Sequence, residues 1–210
     1  MNLRRTRLFE VMHSFMIRYL LHKNGGGYNH VGKNSFIHTP SISGYGQKNI
    51  WLGDNVSIDW NSVLYCDCAK FIIKDNSGAA VGLTVVTGNH VQRIGKLHDE
   101  DNDNLEGKDV IVEEDVWIAA NVTLLAGTHI GRGAIIGAGS VLRGCNVPPY
   151  SIVVGNPAKV VGFKWTVEEI IEHERIAYQP ESRINEELLQ KNYKKYFLDR
   201  IKEIKEFTRI

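Results

Sequence analysis

A chain of 210 residues with 43% apolar and 23% charged content has the balance of a soluble globular protein built on one principal core. A formal net charge of +1 gives no acidic or basic excess that would advertise nucleic acid or an anionic membrane surface as the main partner. Three cysteines, Cys66, Cys68 and Cys145, form no CxxC pair, which argues against a disulfide framework or a zinc ribbon and fits the reducing cytoplasm.

At the N-terminus, Leu8, Val11, Phe15 and Tyr19 recur at helical spacing until Gly25, Gly26 and Gly27 end the segment. The pattern predicts a helix within residues 1–27 that packs on the body of the protein. A helix lying on a lipid surface is the sharper alternative, but its polar face is only mildly basic. Arg4, Arg5 and Arg7 ahead of an apolar-rich stretch resemble a targeting signal, yet His13 and Arg18 interrupt the stretch. No run reaches the roughly 20 apolar residues of a membrane span, and no small-residue cleavage site follows.

Residues 28–163 carry a period of six. Its first part is irregular: Val31 and Ile37 are six apart, as are Leu52, Ile58 and Leu64, and Val81 is expected to open a further rung. Over 88–109 the pattern stops, and the polar segment from Gly88 to Asp109 is predicted to be a long loop excursion, the kind of loop that carries function. From Val112 to about Val147 the period is unbroken, with Val112, Ile118, Leu124, Ile130, Ile136 and Leu142 as its aliphatic positions. Val116, Val122, Thr128, Ala134 and Ser140 follow them four places on. Residues six apart fall on nearly opposite faces of an α-helix, and one long strand alternates every second residue, so neither element explains the repeat. A triangular coil does: one short strand and a tight turn per hexad, three hexads per turn, and a column of aliphatic residues inside. Glycines such as Gly131, Gly133 and Gly137 then serve the turns.

After Gly162 the composition shifts to Lys, Glu and Arg with scattered aromatics, and Thr166 followed by Glu169 is a capping-box pattern. Two helices are predicted within 164–210, closing the open end of the coil. The fold class expected from the whole chain is an all-β solenoid with an N-terminal helix and a C-terminal helical extension.

The segments TGNH at Thr87 to His90, DVWIAANVTLLAG at Asp115 to Gly127, IGAGSVL at Ile136 to Leu142 and VPPYSIVVGNPAKVVG at Val147 to Gly162, in that order, resemble the hexapeptide-repeat acetyltransferases. The galactoside, maltose and capsular-polysaccharide O-acetyltransferases are the branch most similar. The resemblance covers about Val31 to Gly162 and implies a left-handed parallel β-helix that assembles as a homotrimer, with active sites between adjacent solenoids. It implies acetyl-CoA as acyl donor, a sugar or glycan hydroxyl as acceptor, and no metal requirement. His90 matches the general base of such enzymes. Neutral imidazole, with an ordinary pKa near ~6.5, suits the task of taking a proton from an alcohol as it attacks a thioester. Trp117 matches the residue beside the pantetheine arm, Ala120 and Ala138 match small residues along it, and Lys159 matches a cation at the coenzyme A phosphates, with Arg143 a second contact by position. On the acceptor side the match in length breaks down, leaving Asp59, Asn61 and Asp67 as candidates, with turn chemistry the competing explanation of Asp59 and Asn61.

Other readings stay open at this stage. His98 and His129 are weaker base candidates than His90. The acidic run after His98 lacks the EF-hand residues, since counting from Asp99 puts Asn104 at the sixth and Val110 at the twelfth place, so a solvated loop is expected. Cys66 and Cys68, taken as sharing one face of a strand, are assigned to packing rather than to a nucleophile or metal pair. N-acetylation of an amino sugar is a rival within the class. A zinc carbonic anhydrase-like β-helix, which needs three converging histidines, and a noncatalytic scaffold are rivals outside it.

Overall fold

The computed structural model describes residues 11, 12, 15, 28–38, 46–101 and 105–208. The N-terminal helix expected within 1–27 falls, but for three positions, outside the described residues.

Three parallel sheets form the faces of a β-solenoid of about five turns. The first face stacks His30–Val31, Ile50–Leu52, Phe71–Ile73, Val110–Val112, His129–Ile130 and Asn146–Val147. The second stacks Phe36–Ile37, Ser57–Ile58, Gly78–Ala79, Trp117–Ile118, Ile135–Ile136 and Ser151–Val154, and is closed by the antiparallel strand Lys159–Phe163. The third stacks Val63–Tyr65, Thr84–Val86, Thr123–Leu125 and Val141–Arg143.

The hexad positions build the core. Leu52, Ile58, Ile73, Val112, Ile118, Leu124, Ile130, Ile136 and Leu142 are all completely buried. Each such side chain contributes about 1.5–3 kcal/mol relative to exposure. The residues four places later fill the corners: Val122, Thr128, Ala134 and Ser140 are also fully buried. Buried hydroxyls there are satisfied by turn carbonyls, with Thr128 donating to Leu125 O at 2.7 Å and Ser140 to Gly137 O at 2.6 Å.

Every turn from the first face to the second passes through a left-handed residue, namely Asn34, Asn55, Asn76, Asp115, Gly133 and Tyr150. Asn and Asp tolerate this conformation better than most side chains. The three asparagines also form a ladder, Asn34 Nδ2 donating to Asn55 Oδ1 at 3.2 Å and Asn55 Nδ2 to Asn76 Oδ1 at 3.0 Å. At Gly133 a second reason applies, because a β-carbon there would lie 2.4 Å from the Tyr150 ring.

Two sequence expectations change. Val81 does not open a rung: the inward positions of its coil are Ile73, Ala79 and Val85, and Val81 lies 38% exposed on a corner. The lower coils are also longer. Ladder partners are 21 residues apart in Trp51↔Ile72 and Ser57↔Gly78, but 18 apart in Ile111↔His129 and Trp117↔Ile135. Three extra residues per turn, inserted between the third and first faces, break the period of six there.

The described residues beyond the closing strand form three α-helices rather than the two helices expected: α1 (Val167–Ala177), α2 (Glu186–Tyr196) and α3 (Ile201–Thr208). The capping box opens α1 as predicted, with Thr166 Oγ1 accepting from Glu169 N at 3.3 Å and Glu169 Oε2 accepting from Thr166 N at 2.8 Å. Ile170 and Ile171 of α1 and Leu189 of α2 pack with Tyr150 into a second small core at the end of the solenoid.

Candidate active site

The predicted excursion leaves the solenoid where the third face turns toward the first. It is rooted in an antiparallel ribbon that pairs Gly88–His90 with Leu105–Gly107, so its base is ordered structure instead of loop. The ribbon rests on Cys68. A β-carbon at Gly88 would lie 2.4 Å from Cys68 Sγ, and one at Gly107 would lie 2.4 Å from Cys68 O, so only glycine lets the two strands sit this close. Sequence reasoning missed this seat; the flanking glycines were its only signal.

His90 ends the first strand of the ribbon and is exposed. The ring of His98, at the start of the one-turn helix His98–Asp101, meets the His90 ring edge-on, with centroids 5.6 Å apart and planes at 70°. That short helix is tied back to the chain by Asp101, whose carboxylate accepts from both the backbone N–H and Nε of Arg93. These hydrogen bonds, the side-chain one first, hold the Asp101 carboxyl below its ordinary range. The excursion is thus folded so that one imidazole supports another. Asp67 is exposed at this same corner, one coil below Gly88.

The donor candidates occupy a different corner, where the second face turns into the third. Trp117 stands on the second face, half exposed, above Gly78. A β-carbon at Gly78 would come within 3.2 Å of Trp117 Cζ3, so glycine allows the indole to approach the coil wall. Ala120 and Ala138 stack on the adjoining corner in successive coils, with Gly139 N donating to Ala120 O at 2.9 Å. Ala138 is exposed and Ala120 half-buried, so an extended chain can approach their backbone closely. Arg143 ends the third face, exposed and without an ion pair among the described residues. Lys159 is engaged by α3: its Nζ lies 3.8 Å from Glu203 Oε1 and 5.4 Å from the centroid of Phe207.

Asp59 and Asn61 lie on the Ala120 corner two coils lower, away from His90. Asp59 Oδ1 accepts from Trp60 N at 2.7 Å, and Asn61 has φ 58°, so both perform turn chemistry. Cys66 and Cys68 do not share a face: Cys66 points into the core and Cys68 lies outside under the ribbon. The two residues occupy a corner, where strand alternation does not apply. His129 stands on the first face with its Nε2 2.8 Å from Glu113 Oε1, whose Oε2 meets Lys74 Nζ at 2.6 Å. Burial opposes ionisation of Glu113, but its hydrogen bonds from Lys74 and His129 outweigh that effect and hold the carboxyl below its ordinary range. A groove of about 380 Å³ lies beside this pair, between the first face and α2, remote from both corners described above. Among the described residues no group of three His, Cys, Asp or Glu is arranged to hold a metal ion.

Residues 109–144 match the family of bacterial transferase hexapeptides, described as six repeats. No curated protein sequence matches the chain. Among solved structures, a hexapeptide-repeat-containing acetyltransferase from Vibrio cholerae O1 biovar eltor, complexed with acetyl coenzyme A, is 26% identical over 70% of this chain and 75% of its own, with a TM-score of 0.56. A maltose O-acetyltransferase from Clostridium difficile 630 is 28% identical over 63% of this chain and 68% of its own, with a TM-score of 0.53. A galactoside acetyltransferase in complex with coenzyme A shares the fold at 21% identity, over 75% of this chain and 73% of its own, with a TM-score of 0.56. The chain is therefore a hexapeptide-repeat β-solenoid protein, with the fold of the hexapeptide-repeat acetyltransferases.

Proposed function

We propose that the protein is an acetyl-CoA-dependent O-acetyltransferase that modifies a sugar hydroxyl, with His90 as general base. The observation that carries this reading is the excursion itself. Among the described residues, coils that otherwise only stack are interrupted once, the interruption is anchored on Cys68, and the anchored strand ends in an exposed imidazole backed by a second one. The hexapeptide match and the two relatives above 25% identity, one complexed with acetyl coenzyme A and one acting on maltose, support the donor and the acceptor class. The left-handed sense of the coil belongs to the same reading.

Acetyl-CoA supplies an activated acyl thioester. The neutral His90 ring accepts the acceptor's hydroxyl proton as its oxygen bonds to the acyl carbon, and the imidazolium then returns a proton to the departing thiolate, so no covalent acyl-enzyme is needed. Trp117 and the Ala120–Ala138 column offer a flat wall and a close backbone approach that suit the thiol arm, and Arg143 and Lys159 would meet its phosphates. Lys159 must exchange its contact with Glu203 to do so. Asp67 is the acceptor candidate at the same corner as His90, and Asp59 and Asn61 are those beside the donor column.

Release of free coenzyme A from acetyl-CoA, measured with a sugar and oligosaccharide panel, tests the reading. His90→Ala is expected to lower acceptor-dependent release by roughly 10²–10⁴-fold while circular dichroism and melting stay unchanged. Equal release by the parent and variant proteins removes His90 from the mechanism. Amino-sugar acceptors in the same panel separate N- from O-acetylation.

A further inference from the structure

The corner that carries Ala120 and Ala138 changes character as it descends. Its backbone ladder runs continuously, Gly139 N to Ala120 O, Asn121 N to Val81 O and Gly82 N to Trp60 O, so Trp60 occupies the same column as the two alanines. Through Val81, 38% exposed, the methyl groups of the upper coils give way to an indole, 43% exposed. The His38 ring lies against it nearly parallel, with centroids 5.1 Å apart and planes at 8°, and Phe36, 46% exposed, meets His38 edge-on at 4.6 Å.

Exposed aromatic groups arranged contiguously mark interaction surfaces more often than chance placement. The fringe of this one narrows the partner. Asp59 and Asn61 flank Trp60 in sequence, and the hydrogen bond from Trp60 N to Asp59 Oδ1 fixes the turn that presents the indole. A flat apolar face with hydrogen-bonding groups at its edge matches a pyranose ring, which offers C–H groups on one face and hydroxyls around its rim. Asp59 brings a negative charge, which disfavours an anionic glycan. Trp60 lies two coils below Ala120, roughly 10 Å at the spacing of stacked strands. A short oligosaccharide bridges that distance and a single ring does not.

We propose that Trp60, backed by His38 and Phe36 and flanked by Asp59 and Asn61, forms an extension subsite for a neutral oligosaccharide acceptor. The protein then selects acceptors by length as well as by the reacting ring. The inference rests on the sugar acetyltransferase reading for its purpose, but its binding claim is separable from it.

The test is isothermal titration of the intact protein with malto-, cello- and N-acetylglucosamine oligomers of one to four rings. At least one series is expected to tighten with length, and Trp60→Ala to weaken its longest member by roughly tenfold or more while leaving the single ring and acetyl-CoA unaffected. Trp60→Phe keeps a ring and is expected to retain most of the affinity. The proposal is overturned if no series tightens with length, if Trp60→Ala binds as the parent does, or if that variant changes the assembly mass in light scattering, which would make the ring stack a subunit contact. Length-dependent binding without acetyl transfer leaves the subsite standing and defeats the enzymatic reading; transfer to all lengths alike does the reverse.

Discussion

Cys66 and Cys68 are two residues apart in sequence and on opposite sides of the solenoid wall. Burial pushes the Cys66 thiol up to about 12, with the neighbouring Asp67 charge adding to the effect. A raised thiol pKa leaves almost no thiolate near neutrality, and the thiolate is the reactive form. In the native protein at pH 8, iodoacetamide is therefore expected to label Cys68 while Cys66 stays unmodified until denaturant is added, as read by peptide mass spectrometry. Rapid native labelling of Cys66 would show that the corner opens and would weaken the account of Cys68 as a rigid seat for the ribbon. The two-residue spacing, taken as one face of a strand, assigns both thiols to packing, which holds for Cys66. That spacing does not predict their different sides, because the chain turns a corner there and the two-residue alternation of a strand no longer governs direction.

The helical extension shows at the scale of elements which contacts sequence makes legible. The box that starts α1 joins Thr166 to Glu169, three residues apart, and its pattern was readable from the sequence. What locks α1 to the solenoid was not. Glu174 is 2% exposed and receives Arg132 Nη1 at 2.9 Å, Ile184 N at 2.9 Å and the Tyr150 hydroxyl. Those partners lie 42, 10 and 24 residues away, and no local spacing announces them. Burial first, and then the hydrogen bond to Glu174, hold the Tyr150 phenol above its ordinary range, so the hydroxyl remains a donor to the carboxylate throughout the working pH range. Arg132 also pairs with Glu114 and lies over the Tyr178 ring at 4.0 Å. Glu174→Ala removes the acceptor that Arg132, Ile184 N and the Tyr150 hydroxyl share, leaving Glu114 as the remaining carboxylate of Arg132, and is expected to cost about 3 kcal/mol, lowering the melting temperature by on the order of 10 °C. Limited proteolysis should then cut first between α1 and α2. A variant that melts within about 2 °C of the parent would mean that the helices add little to solenoid stability. The same limit on legibility explains the lower coils: three extra residues at one corner shift the hexad phase, so the inward positions are Ala79 and Val85 and not Val81.

At the scale of the molecule, the two halves of the proposed site lie apart within one chain. His90 leaves the corner after the third face, whereas Trp117 and the Ala120–Ala138 column lie at the corner before it. The intact third face separates them, and its core positions Val85 and Leu124 are completely buried, so no local rearrangement of a folded coil brings them together. A cyclic assembly solves this problem, because rotation places the first corner of one subunit against the second corner of the next. The requirement fixes an assembly but not its order; that the assembly is a homotrimer is what the family resemblance implies. It has a consequence that no single-chain site shares. His90→Ala and Trp117→Ala should each abolish or cripple acetyl transfer alone, yet unfolding and refolding an equimolar mixture should restore activity. Random assembly gives a pair of neighbours that contribute one intact His90 and one intact Trp117 at about a quarter of the interfaces, so recovery of up to about a quarter of parent activity is expected. Recovery at that level would place the base and the donor wall on different subunits. Mixtures no more active than the separate variants would mean that both groups act within one chain, and the excursion would then have to fold across the third face to carry His90 to Trp117.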